Sequence, residues 1–393
     1  MTRRDVARTA AFSALSYTRI QGANDRVGLG LIGAGGRGSY VMGLFQKNAE
    51  VEVRAVCDVY GRRIDDAQKK APGAKPFYEH LKLLELKEID VVLIGSPDHW
   101  HKDHAVDAMN AGKDVYVEKP LCRLREEGLE IVRAARATGR ICQVGLQQRS
   151  GQVYIEARDK FLRSGAVGRV LHVDAGWDGG VAQRRRPAEP PMEKPSNLDW
   201  IRFLGPAAYR EWNPTMYFNF RAFLEFNGGR LTDFGHHWMD VVHMFLERDD
   251  VQSASASGGI YFENTQGRTA PDSVSALFEY PGFTVYFHSL AMGNPPEYGV
   301  TFYGEKGKLY VNRNRYEFTE AAKDAVPVVQ KFPGDITADH VRNFLDCVKS
   351  RRLPNADAYI AYKSVVPPLL AVQSYVENRK IHYDPARELV RPA

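Results

Sequence analysis

Val27-Gly28-Leu29-Gly30-Leu31-Ile32-Gly33-Ala34-Gly35-Gly36-Arg37-Gly38 decides how this 393-residue chain is read. An apolar, strand-like run passes directly into G-x-G-x-x-G, and a helix-compatible segment, Ser39 to Asn48, follows. In that strand-turn-helix setting Gly33 permits the tight turn, Gly35 brings the backbone close to a pyrophosphate, and Gly38 lets the helix pack on the strand. Gly36 and Arg37 lie inside the same turn, and the helix amino terminus meets the phosphate charge. A second apolar strand, Val51 to Cys57, ends at Asp58, about 20 residues after the last glycine, where a carboxylate accepts hydrogen bonds from an adenosine ribose. That favours NAD over NADP, although Arg37, Arg62 and Arg63 supply charge suited to a 2′-phosphate.

Outward from this unit, Val91 to Ile94 reads as a third strand that breaks into the polar, aromatic loop Gly95-Ser96-Pro97-Asp98-His99-Trp100-His101. Ligands of parallel sheets bind at that carboxyl edge. A helix over Lys102 to Ala111, capped by Gly112, leads to a strand over Asp114 to Val117 and then to Glu118-Lys119-Pro120. After the strand Gln143 to Leu146 the pattern shifts, which places a domain boundary near 148. A helix over Val153 to Ser164 follows. Strand alternation over Val170 to Gly176, Ser273 to Tyr280, Phe283 to Leu290 and Tyr298 to Tyr303 predicts a mainly antiparallel sheet. Helices are predicted over Asp233 to Leu246, Thr337 to Ser350 and Ala356 to Glu377, the last broken at Pro367-Pro368.

The glycine turn, Ser96 to His101, Glu118-Lys119-Pro120 and the later Gly229-Arg230-Leu231-Thr232-Asp233-Phe234-Gly235-His236-His237-Trp238-Met239-Asp240 together resemble the Gfo/Idh/MocA oxidoreductases in order and spacing. The resemblance implies an α/β chain: an N-terminal Rossmann domain over 27–148 and a C-terminal α+β domain over 149–393. The second domain would carry a large, mainly antiparallel open sheet whose free face forms a subunit interface, giving a homodimer or homotetramer. It also implies a nicotinamide-dependent oxidation of a secondary hydroxyl of a sugar, glycoside or cyclitol. Lys119 then matches the lysine beside the nicotinamide, and Asp233 and His237 match the D-x-x-x-H pair. Glu118 resembles the residue that contacts the nicotinamide ribose, and Ser96, Pro97 and His101 match positions lining the dinucleotide. His237 is expected as general base, because an unperturbed imidazole titrates near working pH. A branch of the family uses the ketone only transiently, to eliminate a glycosidic bond before the hydride returns, though its histidine-glycine stretch is not evident here. Other relatives of the fold act as non-catalytic sensors, which the retention of Lys119, Asp233 and His237 argues against.

Between the first two strands of the second domain lies an insertion rich in aromatics and arginine. Trp177, Asp178, Tyr217 and Arg221, with Arg149, are the expected substrate contacts, since ring faces suit the C–H patches of sugars. Arg184-Arg185-Arg186 and the prolines Pro187, Pro190, Pro191 and Pro195 read as an exposed, semi-rigid loop. No metal is expected: the histidines near His101 lack an acidic partner pattern, and Cys57, Cys122, Cys142 and Cys347 show no C-x-x-C spacing.

Composition agrees with a globular protein: 44% hydrophobic and 26% charged residues exclude disorder as the main state. Charges or glycines interrupt every apolar run before it reaches the ~20 residues of a membrane span. The net charge of +5 is too small to demand a nucleic-acid partner. Much of it sits in residues 1–26, where five arginines face Asp5 and Asp25. Thr2-Arg3-Arg4-Asp5-Val6-Ala7-Arg8, followed by a weakly apolar stretch, resembles a twin-arginine export signal and so predicts a periplasmic protein; the alternative is a basic N-terminal arm on a cytoplasmic one. Twin-arginine export carries folded proteins, so NAD could be loaded and tightly held before transit.

Overall fold

A computed structural model describes residues 26–179, 192–262, 267–291 and 298–392. The expected leader and the Arg184-Arg185-Arg186 loop lie outside them. The chain divides into two compact units.

The first unit is built on strands β1 (Val27–Ile32), β2 (Val51–Cys57), β3 (Lys75–Phe77), β4 (Val91–Ile94), β5 (Asp114–Val117) and β6 (Cys142–Val144). All are parallel, in the order β3-β2-β1-β4-β5-β6. β1, β4 and β5 are buried along their whole length, which is why they read as unbroken apolar runs. Strand order reverses between β1 and β4, and the crevice outside their carboxyl ends is where such a sheet takes its ligand.

A single division at 148 does not describe this unit. It comprises the chain to Gly145 together with Lys194–Trp212 and Thr337–Ile360. Apolar burial explains the second return. The helix Ile336–Ser350 puts Val341, Phe344, Leu345 and Val348 into the core shared with β1 and β2. Phe344 meets Phe45 and Tyr116 edge-on at 5.9 and 5.8 Å. Arg342 Nη1 donates to Glu50 Oε1 at 2.6 Å, and this contact pulls the Glu50 carboxyl down to about 2.

The second unit carries strands β7 (Val170–Trp177), β8 (Ser253–Gly259), β9 (Ser273–Tyr280), β10 (Phe283–Ser289), β11 (Tyr298–Gly304), β12 (Gly307–Val311), β13 (Arg315–Glu320), β14 (Val328–Lys331), β15 (Ile381–Asp384) and β16 (Leu389–Val390). They pair in one sheet in the order β14-β13-β12-β11-β7-β10-β9-β8-β15-β16. Every pairing is antiparallel except β7 with β10. Alternation sorts the side chains: Val173, Ala175, Val285, Phe287, Val300 and Phe302 are buried, while Tyr286 and Tyr303 on the opposite face remain exposed. Phe302 stacks on Phe245 of the helix Gly235–Leu246 at 5.0 Å, which fixes the helix side of the sheet.

Two helix predictions are corrected. Pro367 and Pro368 lie inside one continuous helix, Ala358–Glu377, rather than breaking it. A mid-helix proline costs roughly 3 kcal/mol, and here Val365, Val366, Leu369, Leu370 and Ala371 are buried on both sides of the pair and offset that cost. The helix expected over Asp233 to Leu246 is interrupted at Phe234, giving Gly229–Asp233 and Gly235–Leu246. Asp233 thus ends one segment and His237 lies in the first turn of the next.

Candidate functional site

In the first unit, the glycine turn joins β1 to the helix Gly36–Gln46. Gly33 sits at φ +87°, and a Cβ there would strike the Ser96 backbone nitrogen; one on Gly38 would strike the Gly33 carbonyl oxygen. Only a side-chain-free backbone lets this turn close against the β4 loop. Asp58, at the end of β2, braces the turn from below. Its Oδ2 accepts from Ala34 N at 2.8 Å and its Oδ1 from Tyr60 N at 3.0 Å. Burial raises its pKa, while Arg63, with Nη1 at 3.9 Å, and the backbone amides act in the opposite sense. A carboxylate has four lone-pair sites, so these contacts leave capacity for a ribose. Gly33, Gly35, Asp58, Ser96 and Pro97 all line one cleft, together with Trp100 and His104.

Three expected cofactor residues have more specific placements. Arg37 Nε and Glu118 Oε1 pair at 2.9 Å, with Glu118 buried against Gly145. His101 does not line the cleft. Its Nδ1 lies 2.7 Å from Pro120 O and its Nε2 2.9 Å from Ser96 O, so it ties the loop after β4 to the loop after β5. Lys119 is half-buried at the carboxyl end of β5. Among the described residues no group of three His, Cys, Asp or Glu side chains is arranged to hold a metal.

Burial lowers the pKa of His99, to about 4, and of His101 and His104. It lowers His243 of the second unit to about 3. Unfolding lets each imidazole take up a proton near its ordinary value of about 6.5. Between there and pH 4 the unfolded chain therefore binds more protons than the folded one, and stability falls as pH falls. Melting temperature is expected to decline from pH 7.5 to pH 5; a flat profile would show that the folded chain takes up protons at these histidines as readily as the unfolded one.

In the second unit Trp177, at the end of β7, is the centre of an aromatic group. It stacks on Phe234 at 4.9 Å, Tyr298 at 5.0 Å and His237 at 5.8 Å, with the Arg313 guanidinium 4.9 Å from its ring centre. Arg313 Nη2 lies 3.4 Å from His237 Nε2. A guanidinium only donates, so a hydrogen bond here has Nε2 as its acceptor, with the ring proton on Nδ1. Asp233, buried, has Arg221 Nε 3.4 Å from its Oδ1, and Arg221 lies over the Phe220 ring at 4.5 Å.

Trp177 thus lies beside His237, and Arg221 beside Asp233. Arg149 Nε pairs with the fully buried Asp240 at 2.7 and 2.9 Å. Arg149→Ala would strand that carboxylate and is expected to cost about 3–5 kcal/mol of stability by denaturant titration. Asp178 follows Trp177 by one residue and so lies on the other side of the sheet, beside Asp174 and Gly176, where it meets His288 Nδ1 at 3.1 Å and accepts from Leu290 N at 2.9 Å. Burial alone would raise the Asp178 pKa, but these two hydrogen bonds hold it below the ordinary value. Tyr217 is enclosed, edge-on to Phe218.

Two residues escape the sequence reading. Arg230 is buried and donates to the carbonyls of Trp177, Gly179 and Leu290 and to Ser289 Oγ, fixing the backbone that presents Trp177. Its position within the Gly229-to-Asp240 motif was the available signal. Arg313 lies between β12 and β13, about 76 residues from His237, and nothing local marks it.

A glycine-turn parallel sheet with a carboxylate at the end of its second strand, together with a large, mainly antiparallel sheet backed by helices that carry Asp233 and His237, defines a two-domain dinucleotide-dependent oxidoreductase architecture. Residues 27–146 match the oxidoreductase family's NAD-binding Rossmann fold, and residues 153–391 match its C-terminal alpha/beta domain. The chain belongs to the Gfo/Idh/MocA oxidoreductase family. Inositol 2-dehydrogenase of Salmonella paratyphi B is 33% identical over 149 residues, 37% of this chain and 43% of that protein. Alpha-N-acetylgalactosaminidase of Shewanella oneidensis is 30% identical over 160 residues, 38% and 35% of the two chains. Each of these matches spans less than half of the relative. Among solved structures, a levoglucosan dehydrogenase in complex with NADH and levoglucosan superimposes with a TM-score of 0.71 at 16% identity, covering 91% of this chain and 99% of that one. The WlbA dehydrogenase from Bordetella pertussis, in complex with NADH and UDP-GlcNAcA, gives 0.71 at 19% identity over 91% and 98%. These likenesses establish the fold.

Proposed function

We propose that this protein oxidises a secondary hydroxyl of a sugar, glycoside or cyclitol to a ketone, with NAD as cofactor, His237 as general base and Lys119 assisting. The observation that carries this reading is the placement of His237 in the first turn of the helix after Asp233, its ring stacked against Trp177. Such an imidazole accepts the hydroxyl proton as the carbinol carbon loses its hydride. When bound, the nicotinamide supplies the hydride acceptor. Asp233 orients the substrate or His237, and Lys119 holds the substrate hydroxyl or shares its proton. The ring faces of Trp177 and Tyr298 suit the apolar C–H patches of a sugar.

Similarity to a glycosidase as well as to a dehydrogenase favours keeping a second reading, in which the ketone is transient and the hydride returns after a glycosidic bond is eliminated. Incubation with an aryl glycoside and no added NAD separates the two. Sustained phenol release over many turnovers indicates the redox-neutral reaction, and NADH accumulation with sugars and cyclitols in the presence of added NAD indicates the dehydrogenase. Neither outcome, with NAD bound, would remove both.

A further inference from the structure

Residues 194–212 lie in the insertion expected to line the sugar site, yet they pack in the nucleotide-binding unit. Their attachments are concentrated on three neighbouring loops at the carboxyl edge of the parallel sheet. At the loop after β2, Leu198 bridges Tyr60, Gly61 N donates to Asn197 O at 2.9 Å, and Asp199 N donates to Val59 O at 2.9 Å. At the loop after β3, the Arg202 guanidinium donates to Tyr78 O at 3.2 Å and to Glu79 Oε1 at 2.9 Å. At the loop after β4, Phe203 O lies 2.9 Å from His99 Nε2 and 3.0 Å from Trp100 Nε1. Gly205, at φ +50°, completes the fit, because a Cβ there would overlap the Trp100 ring.

The same segment walls the cleft. Arg202 and Phe203 line it alongside Gly33, Asp58, Ser96 and Trp100. Asp58 marks the ribose end, so the space bounded by Trp100 and Phe203 beyond it is an aromatic-walled slot of the kind a purine ring fills. The segment is also internally packed. Trp200 stacks on Phe203 at 5.3 Å, meets Trp212 edge-on at 5.3 Å, and donates from Nε1 to Arg210 O at 2.7 Å. Leu198, Trp200, Phe203 and Leu204 are all buried. Opening it would expose these apolar side chains and break bonds to all three loops together.

We infer that residues 194–212 form a strap that completes the adenosine end of the NAD site and retains the cofactor through turnover. The inference rests on the NAD-binding character of the first unit and adds to it a stretch of chain from outside the glycine-turn domain. A side chain missing from the strap should act mainly on the rate of release, as most changes to an existing binding surface do.

The test uses the full chain loaded with NADH, with release followed by fluorescence after a chase with excess NAD. Phe203→Ala and Arg202→Ala are each expected to release NADH about tenfold faster or more than the unaltered protein. Release at the unaltered rate from both variants would overturn the strap. Should Phe203→Ala fail to fold, Arg202→Ala and hydrogen exchange on the unaltered chain decide the matter. Saturating NAD is expected to slow exchange in a peptide covering 195–205 as well as in one covering 33–39. A response at 33–39 with none at 195–205 would overturn the strap alone, and no response at either would overturn the NAD site with it.

Discussion

Replacing His237 with Gln is expected to lower kcat by about 10²–10⁴, the range that a positioned general base contributes, with bound NAD unchanged. The glutamine amide preserves much of the ring's volume and can still accept from Arg313, but it cannot take up the hydroxyl proton. The helix Gly235–Leu246 is otherwise undisturbed, because Trp238 Nε1 still donates to Gly176 O and His236 Nε2 still lies 3.2 Å from Ala361 O. A pH profile gives a second readout. If His237 is the base, the limb of kcat that requires a deprotonated group disappears in the variant. Turnover at the unaltered rate would assign the proton to another residue.

Lys119→Met is expected to reduce kcat by about 10²-fold or more, again with NAD retained. Methionine keeps a long, flexible, apolar stem and removes the ammonium. Glu118 remains paired with Arg37, so the substitution leaves that neighbouring ion pair in place. A fall in kcat together with a rise in KM would mean that the ammonium also holds the ground-state substrate; a fall in kcat alone would place its contribution in the transition state. Variants at Lys119 that turn over normally would confine this residue to structure.

How far the sequence revealed these sites depended on whether the determining contacts were local. The glycine turn, β2 and Asp58 lie within one strand-turn-helix-strand unit, and the period of the pattern carried them. Trp177 was legible as an aromatic near the motifs, but Asp178 was assigned with it although successive residues along a strand point to opposite faces, and it lies with Asp174 and His288 instead. The face that Ile336–Ser350 buries was readable as an amphipathic stripe; that it would be buried beside Phe45 and Tyr116 was not, since a stripe does not name its partner. Phe203 had the same ambiguity: it lines the cleft beside the glycine turn, with Trp200 stacked behind it. Pro367-Pro368 gave a correct local signal that burial of the surrounding Val and Leu side chains overrode. Arg230 and Arg313 were missed because charged residues carry no periodic signal, and the hydrogen-bond partners described above lie 51 to 76 residues away.

The most direct measurement follows the hydride itself. The NAD-loaded protein would be mixed with sugars and cyclitols carrying deuterium at a secondary carbinol carbon, and the cofactor then recovered for mass spectrometry. The expected result is deuterium on the nicotinamide with at least one substrate, abolished in His237→Gln. Product formation without any deuterium reaching the nicotinamide, in protein shown to carry NAD, would contradict the proposed chemistry.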